Sequence, residues 1–452
     1  MKKEEIYAKL ASMKQYVEEE GRKLSDEATV EQYQELVYEK EGKKVWTAAI
    51  QKALEEHEIV KLPAKNSPYY LDGSLLIPGG RQLLCEDDTI IKQMEDVKVL
   101  MLRNANAKDG SDRPIREPKD CNITIRGGIW EESWEKRMGY GKSGMYDENR
   151  SFFGVSTCML FSNVKNLTLE NLTFVHTAGF AVQIGDTENL IAENITFKEC
   201  FADGLHINGN CENVLVRNVK GQVGDDLVAF NLYDWKNSSI NFGPVNNVLC
   251  EDLELSGDSR YKAIRLEPGI YRYEDGTEID CALTNAVFKK IKGISTYKLY
   301  LQTPRYERIE DREFGKTGSG DYIYFEDIDI DLEKPIDALQ EYLDSDPVKG
   351  SIAGFELGSN IGHLFFENIR ICLHKEKYPM SFFLCIGPKS ANRDGKEVFD
   401  PQISSHLEEL SIKNVVCVDG EEQVLCKENE QTYIHEIVFE EARGSIGRIS
   451  YQ

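Results

Sequence analysis

One short motif recurs along the middle of this chain and narrows what it can fold into. Asn166-Leu-Thr-Leu-Glu-Asn171-Leu-Thr-Phe174 returns as Asn189-Leu-Ile-Ala-Glu-Asn194-Ile-Thr-Phe197, then as Asn213-Val-Leu-Val-Arg-Asn218-Val219, at offsets of 23 and 24 residues. Looser copies begin at Asn122, Asn247, Asn285, Tyr322, His363 and Leu410. Within each copy apolar residues alternate, which is the period of a strand and not of a helix. The unit is too short for paired-helix repeats, and the leucine spacing of a leucine-rich repeat is absent. A coil of this length holds two or three short strands, and each coil stacks on the next at about 4.8 Å. The expected fold is all-β: a right-handed parallel β-helix.

An ordinary globular chain of 452 residues would suggest two or three domains. A solenoid escapes that estimate because it grows by adding coils. Residues 61–452 are therefore expected to form one β-helical catalytic domain, with residues 1–60 as a helical N-terminal cap on its open end. Val45, Ala49, Ile50, Ala53 and Leu54 make an apolar stripe at helical spacing. The formal net charge of -24 repels phosphate backbones and anionic membranes, so neither nucleic acid nor a membrane is expected as a partner. No segment has the roughly 18 consecutive apolar residues of a membrane helix. The polar start Met-Lys-Lys-Glu-Glu lacks the apolar stretch of a signal peptide. The 11 cysteines include no Cys-x-x-Cys. Reduced thiols, a cytoplasmic location and neither metal nor cofactor are expected.

Equivalent residues of successive coils stack in columns. The inward apolar pairs Val182/Ile184, Leu205/Ile207, Val228/Phe230, Ile264/Leu266 and Leu299/Leu301 align the coils. Between them lies the outward column Gln183, His206, Ala229, Arg265, Tyr300, and after them Gly185, Asn208, Asn231, Glu267, Gln302. Two residues before them comes the column Phe180, Asp203, Asp226, Lys262, Tyr297. Asp203, Asp225 and Asp226 thus converge from two adjacent coils. Like charges that close raise at least one pKa, an arrangement retained mainly where it is used. Taken singly, Asp-Gly and Gly-Asp-Asp are ordinary turn chemistry, and stacked aspartates also suit calcium. Asn171, Asn194 and Asn218 read as a structural ladder. Gln183, His206, Asn208, Asn231, Lys262, Arg265, Glu267, Tyr300 and Gln302 are the candidate substrate contacts around the three acids.

Here the residues resemble a known family, the polygalacturonase-like glycoside hydrolases (family 28, within the pectin lyase-like β-helix superfamily). Trp46-Thr-Ala-Ala-Ile-Gln-Lys-Ala-Leu54 with Val60-Lys-Leu-Pro63 is similar to the family's opening helix and first strand. Asn122-Ile-Thr-Ile-Arg-Gly-Gly-Ile-Trp130 is similar to its first full coil. Asp203-Gly-Leu-His-Ile207 resembles Asn-Thr-Asp-Gly-Ile-His, and Gly224-Asp-Asp-Leu-Val-Ala-Phe230 resembles the Gly-Asp-Asp motif one coil later. The likeness spans roughly residues 45–300. It departs at Phe201-Ala202, which replaces Asn-Thr, and in lacking a Gly-His-Gly motif. It departs again at Arg265-Leu266-Glu267, where the family has Arg-Ile-Lys.

The resemblance implies glycoside hydrolysis with inversion. Asp225 would be the general acid, kept protonated by burial and its neighbours, while Asp203 and Asp226 activate water. Glu267 in place of lysine removes half of the basic pair that serves a substrate carboxylate, so a neutral or only partly acidic glycoside is expected over galacturonan. A lyase or epimerase would instead need a base at the sugar's C5 and a carboxylate neutraliser, for which Lys262 and Arg265 are the candidates. A third reading is a non-catalytic carbohydrate-binding β-helix. Projecting loops at 269–282 and 303–320 are expected to wall one end of the groove and favour exo-action on short plant- or microbe-derived, pectin-type oligosaccharides.

Overall fold

The computed structural model describes all residues except 96, 98, 108–118, 133–145, 148–149, 152–156, 234–238, 258, 260, 274, 300–317, 334–351, 379–380, 387–388, 392–396, 400–404, 420–425, 429–431 and 441–452. The repeat becomes geometry at its asparagines. Asn166, Asn189, Asn213 and Asn247 all take positive φ, between 58° and 64°. Asparagine tolerates this left-handed conformation better than other residues with a side chain. Each of these residues is a corner of the coil, and the corners stack. Asn189 Nδ2 donates to Asn166 Oδ1 at 2.7 Å, Asn213 to Asn189 at 2.9 Å, and Asn247 to Asn213 at 3.0 Å. Asn171, Asn194 and Asn218 build a second ladder at 2.9 and 2.7 Å, as the sequence suggested.

Between the corners the strands pair in parallel, coil on coil. Leu190 lies opposite Leu167 and Val214, Val214 opposite Val248, and the column continues through Ala286, Ile323, Leu364 and Leu410. One sheet system joins 28 strands, so the expected parallel β-helix is the fold. Inside the tube the aromatic side chains stack in files. Phe174 lies 5.7 Å from Phe197, and Phe325 lies 5.3 Å from Phe288 and 5.5 Å from Phe366.

The N-terminal segment divides its work. Helix α1 (Lys3–Gly21) lies along the flank, while α2 (Thr47–Glu56) plugs the first coil with Ala49, Ile50, Ala53 and Leu54. Between the helices, Glu27–Thr29 already pairs with Ile59–Lys61 in the first coil. The apolar face of α1 (Ile6, Leu10, Met13, Val17) covers an outward column of Ile191, Leu215, Leu249, Val287 and Tyr324. Those residues stand on successive coils, so α1 bridges five of them. Its lysines meet an outward acidic file, Lys14 on Glu193 and Lys3 on Glu326 and Glu367. Leu10→Ala should therefore destabilise the whole molecule by about 2–4 kcal/mol, the range for a buried leucine truncated to alanine. Denaturant titration checks it, and parent-like stability would mean that α1 does not hold the flank.

Candidate active site

The coil register brings the three acids together. Leu205 pairs with Val228, which sets Asp203 over Asp226. The peptide of Asp226 binds both ways across the gap: its N–H donates to Asp203 Oδ1 at 3.1 Å, and its C=O accepts from the Gly204 N–H at 3.0 Å. Asp203, Asp225 and Asp226 each bring a carboxylate oxygen within 4.8 Å of the others. The glycines beside them have a packing reason beyond turn chemistry. A Cβ on Gly204 would stand 2.5 Å from the Phe197 ring, and one on Gly224 would stand 1.9 Å from the Phe201 carbonyl.

Burial falls unevenly on the trio. Asp203 and Asp226 are buried, whereas Asp225 is only half-buried and reaches the solvent side. Burial, then the charge of Asp225, pushes the Asp203 carboxyl up to about 6, opposed by its hydrogen bond from His206. Burial also lifts Asp226 well above the usual carboxylate range, although Arg265 opposes it. Asp226 Oδ1 has no hydrogen-bond partner among the described residues. Burial therefore raises both inner carboxyls, Asp203 and Asp226, toward protonation.

Beneath the acids, a hydrogen-bonded chain fixes the protonation of His206. Asn208 Oδ1 accepts from the Ile240 N–H at 3.2 Å and from Gln183 Nε2 at 2.9 Å, which settles the orientation of the amide. Its Nδ2, a donor only, faces His206 Nε2 at 3.2 Å and also donates to the Asn231 carbonyl at 3.0 Å. Nε2 must then accept, so His206 is neutral and donates from Nδ1 to Asp203 Oδ2 at 2.6 Å. Phe180 stacks on the imidazole with centroids 3.8 Å apart.

The other expected contacts are placed less uniformly. Gln183, Asn208 and Asn231 are buried and take part in the hydrogen-bonded chain just described, with Asn208 held by the Ile240 N–H. Arg265 does join the acids, with Nε 3.5 Å from Asp226 Oδ2 and Nη1 3.9 Å from Glu267 Oε2. Lys262 instead lines a groove with Lys292, Asp329 and Arg370. Tyr300 and Gln302 lie outside the described residues.

The proposed pairing of Leu299 with Leu301 is corrected by the register. Ile264/Leu266 faces Tyr297/Leu299, so the outward residue above Arg265 is Lys298 and not Tyr300. Tyr297 is fully buried and stacks on Phe355 at 4.8 Å, filling an inward position as an apolar residue would. Lys298 is buried, 4.0 Å from Glu356, which faces it from the following coil. The Tyr261 ring lies under both cations, 5.7 Å from the Arg265 guanidinium and 5.4 Å from Lys298 Nζ. Counting tyrosine among the inward residues would have revealed Lys298 from the sequence.

Of the two expected loops, Gly269–Arg272 and Glu278–Cys281 form an antiparallel hairpin. Its Tyr271 is buried and stacks on Phe242 at 4.0 Å, which ties the hairpin to the core. Most of the other loop lies outside the described residues.

No protein-family model and no curated protein matches the chain. Among solved structures, it is similar to a family 28 exopolygalacturonase of Yersinia enterocolitica, at 13% identity and a TM-score of 0.47, over 93% of this chain and 78% of that one. It is similar to PfbA, a surface adhesin of Streptococcus pneumoniae, at 12% identity and 0.48, over 93% and 92%. A hyperthermoactive exopolygalacturonase of Thermotoga maritima aligns at 11% identity and 0.46, over 95% and 96%. The fold assignment stands on this chain's own strand register.

Proposed function

We propose that this protein is a glycoside hydrolase that removes terminal sugars from short, neutral oligosaccharides in the cytoplasm. The observation that carries the reading is the trio Asp203, Asp225 and Asp226, two of them buried and raised toward protonation beside a solvent-reaching third. Glycoside hydrolysis needs one carboxyl to protonate the leaving oxygen and a carboxylate to act at the anomeric centre. Asp225 faces the substrate side and delivers the proton, with Asp226 beside it as the buried store. Asp203, oriented by His206, holds the water. The similarity of the Asp-Gly and Gly-Asp-Asp motifs to family 28 supports inversion. The tight cluster differs from the roughly 6.5–9.5 Å of the usual inverting pair, so the water sits against the trio instead of between two distant acids.

The charges favour a neutral sugar. Asp203, Asp225, Asp226, Glu267 and Glu356 bring five carboxyls around the two cations Arg265 and Lys298 among the described residues. Both cations already lie beside protein carboxylates, so a uronate would add a negative charge to an acidic site. The hairpin Gly269–Arg272 and Glu278–Cys281, which follows Glu267 directly in the chain, supports an exo mode.

A panel of neutral and uronic oligosaccharides tests this, with products followed by chromatography and the first-released anomer by NMR. The expected result is mono- or disaccharide release from neutral substrates with inverted anomeric configuration, and poor turnover of polygalacturonic acid. Efficient galacturonate release would overturn the charge reading, and early intermediate oligomers would overturn exo-action. Unsaturated products absorbing in the ultraviolet would indicate a lyase.

A further inference from the structure

Far along the chain from the three acids, the coils assemble a second cluster, of different chemistry. Asp331 pairs directly with Cys372 across two adjacent coils. Two residues on, His374 turns back with φ +49°, and its Nε2 lies 2.6 Å from Asp331 Oδ1. One donor atom from each of Asp331, Cys372 and His374 lies within 4.8 Å of the other two. The following coil fixes this corner: the Asp419 carboxylate accepts from the Leu373 N–H at 2.8 Å and from the His374 N–H at 2.5 Å. Asp331 Oδ1 also accepts from the Glu333 N–H at 2.8 Å, which orients that carboxylate. Asp331 and Cys372 line a groove of about 580 Å³, so the cluster opens onto solvent on that side.

We propose that Asp331, Cys372 and His374 form a binding site for a divalent transition metal of the zinc class, clamping two neighbouring coils. The donor set selects the metal. A thiolate and an imidazole with one carboxylate suit zinc or cobalt, whereas calcium and magnesium take oxygen ligands. The size also fits. Metal–ligand bonds of about 2.0–2.3 Å in a tetrahedron separate the donors by about 3.5 Å, which this cluster reaches by small side-chain rotations. The His374–Asp331 hydrogen bond opens to admit the ion, and the groove supplies the fourth position to water. Sequence spacing conceals the site, because Cys372 lies 41 positions after Asp331. The expectation of no metal rested on the absence of Cys-x-x-Cys, a test that sees only ligands close in sequence.

The inference is independent of the glycosidase reading. Tag-free, metal-stripped protein is titrated with Zn²⁺ by calorimetry and with Co²⁺ by absorption. One tight equivalent is expected, with a thiolate-to-cobalt charge-transfer band in the near ultraviolet. That band separates this site from the Asp203 cluster, which offers only oxygen donors. Cys372→Ser should abolish the band, and His374→Asn should weaken Zn²⁺ binding at least about tenfold, no less than the loss of an outer-shell partner costs. Asp419→Asn should weaken it less. Melting curves of the metal-free variants establish that each is folded. A parent protein without the band, or a band that survives in Cys372→Ser, would overturn the proposal.

Discussion

Asp225→Asn is expected to lower kcat on any active substrate by at least about 10²-fold, the scale of a positioned general acid, while the melting temperature barely moves. Asp225 is half-buried at the solvent side, so an isosteric amide removes a transferable proton without opening a cavity. Its backbone stays pinned by the close approach of Gly224 to Phe201. KM should change little, since the loss is felt only where the leaving oxygen gains its proton. Steady-state kinetics beside a melting curve reads both. Near-parent turnover would remove Asp225 from the chemistry. A large loss accompanied by unfolding would be uninformative about proton transfer, and for that case Asp225→Glu, which keeps the carboxyl but misplaces it, should recover part of the rate in a folded protein.

The sequence discloses the acids because nothing interrupts the coils that bear them. From Val182 to Asn231 each strand follows its predecessor by 23 residues, as in Val182, Leu205 and Val228, so counting along the chain places Asp203 over Asp226. Where insertions enter, counting fails. The excursion after Glu267 returns through Tyr297, whose buried hydroxyl-bearing ring disguises an inward position, and Lys298 was lost with it. The segment with Ser239–Phe242 folds back over Asn208, turning an expected sugar contact into the residue that fixes the tautomer of His206. Helix α1 was legible as a helix, yet its position was not. The outward residues that it covers, Ile191, Leu215 and Leu249, read in sequence as surface positions of the strands. The metal ligands lie on coils lengthened by insertion, and only the three-dimensional register joins them.

Asp203 should behave in the opposite way to Asp225 in stability: Asp203→Asn is expected to cost activity yet to make the protein more stable at neutral pH. The sign follows from where the proton sits. An unfolded aspartate titrates near 3.9, whereas burial raises Asp203 to about 6 in the folded protein. Between those values the folded state binds more protons than the unfolded one, so stability falls as pH rises through the window and stays lower above it. A shift of about two units corresponds to about 3 kcal/mol lost by pH 7. Asparagine carries no such cost. It does surrender a good acceptor for the Nδ1–H of His206, a loss of about 1 kcal/mol, while its carbonyl can still receive the Asp226 N–H. The net gain is about 2 kcal/mol at pH 7.5 and should be lost by about pH 3, where the parent's carboxyl is largely protonated in both states and only the weakened hydrogen bond remains. Urea denaturation of parent and variant at the two pH values, with turnover assayed on the same samples, decides the matter. Equal destabilisation at both would show that the hydrogen bonds from His206 and the Asp226 amide outweigh burial and hold Asp203 ionised. A buried carboxyl that weakens the fold at working pH is what an active site retains and a purely structural solenoid does not need.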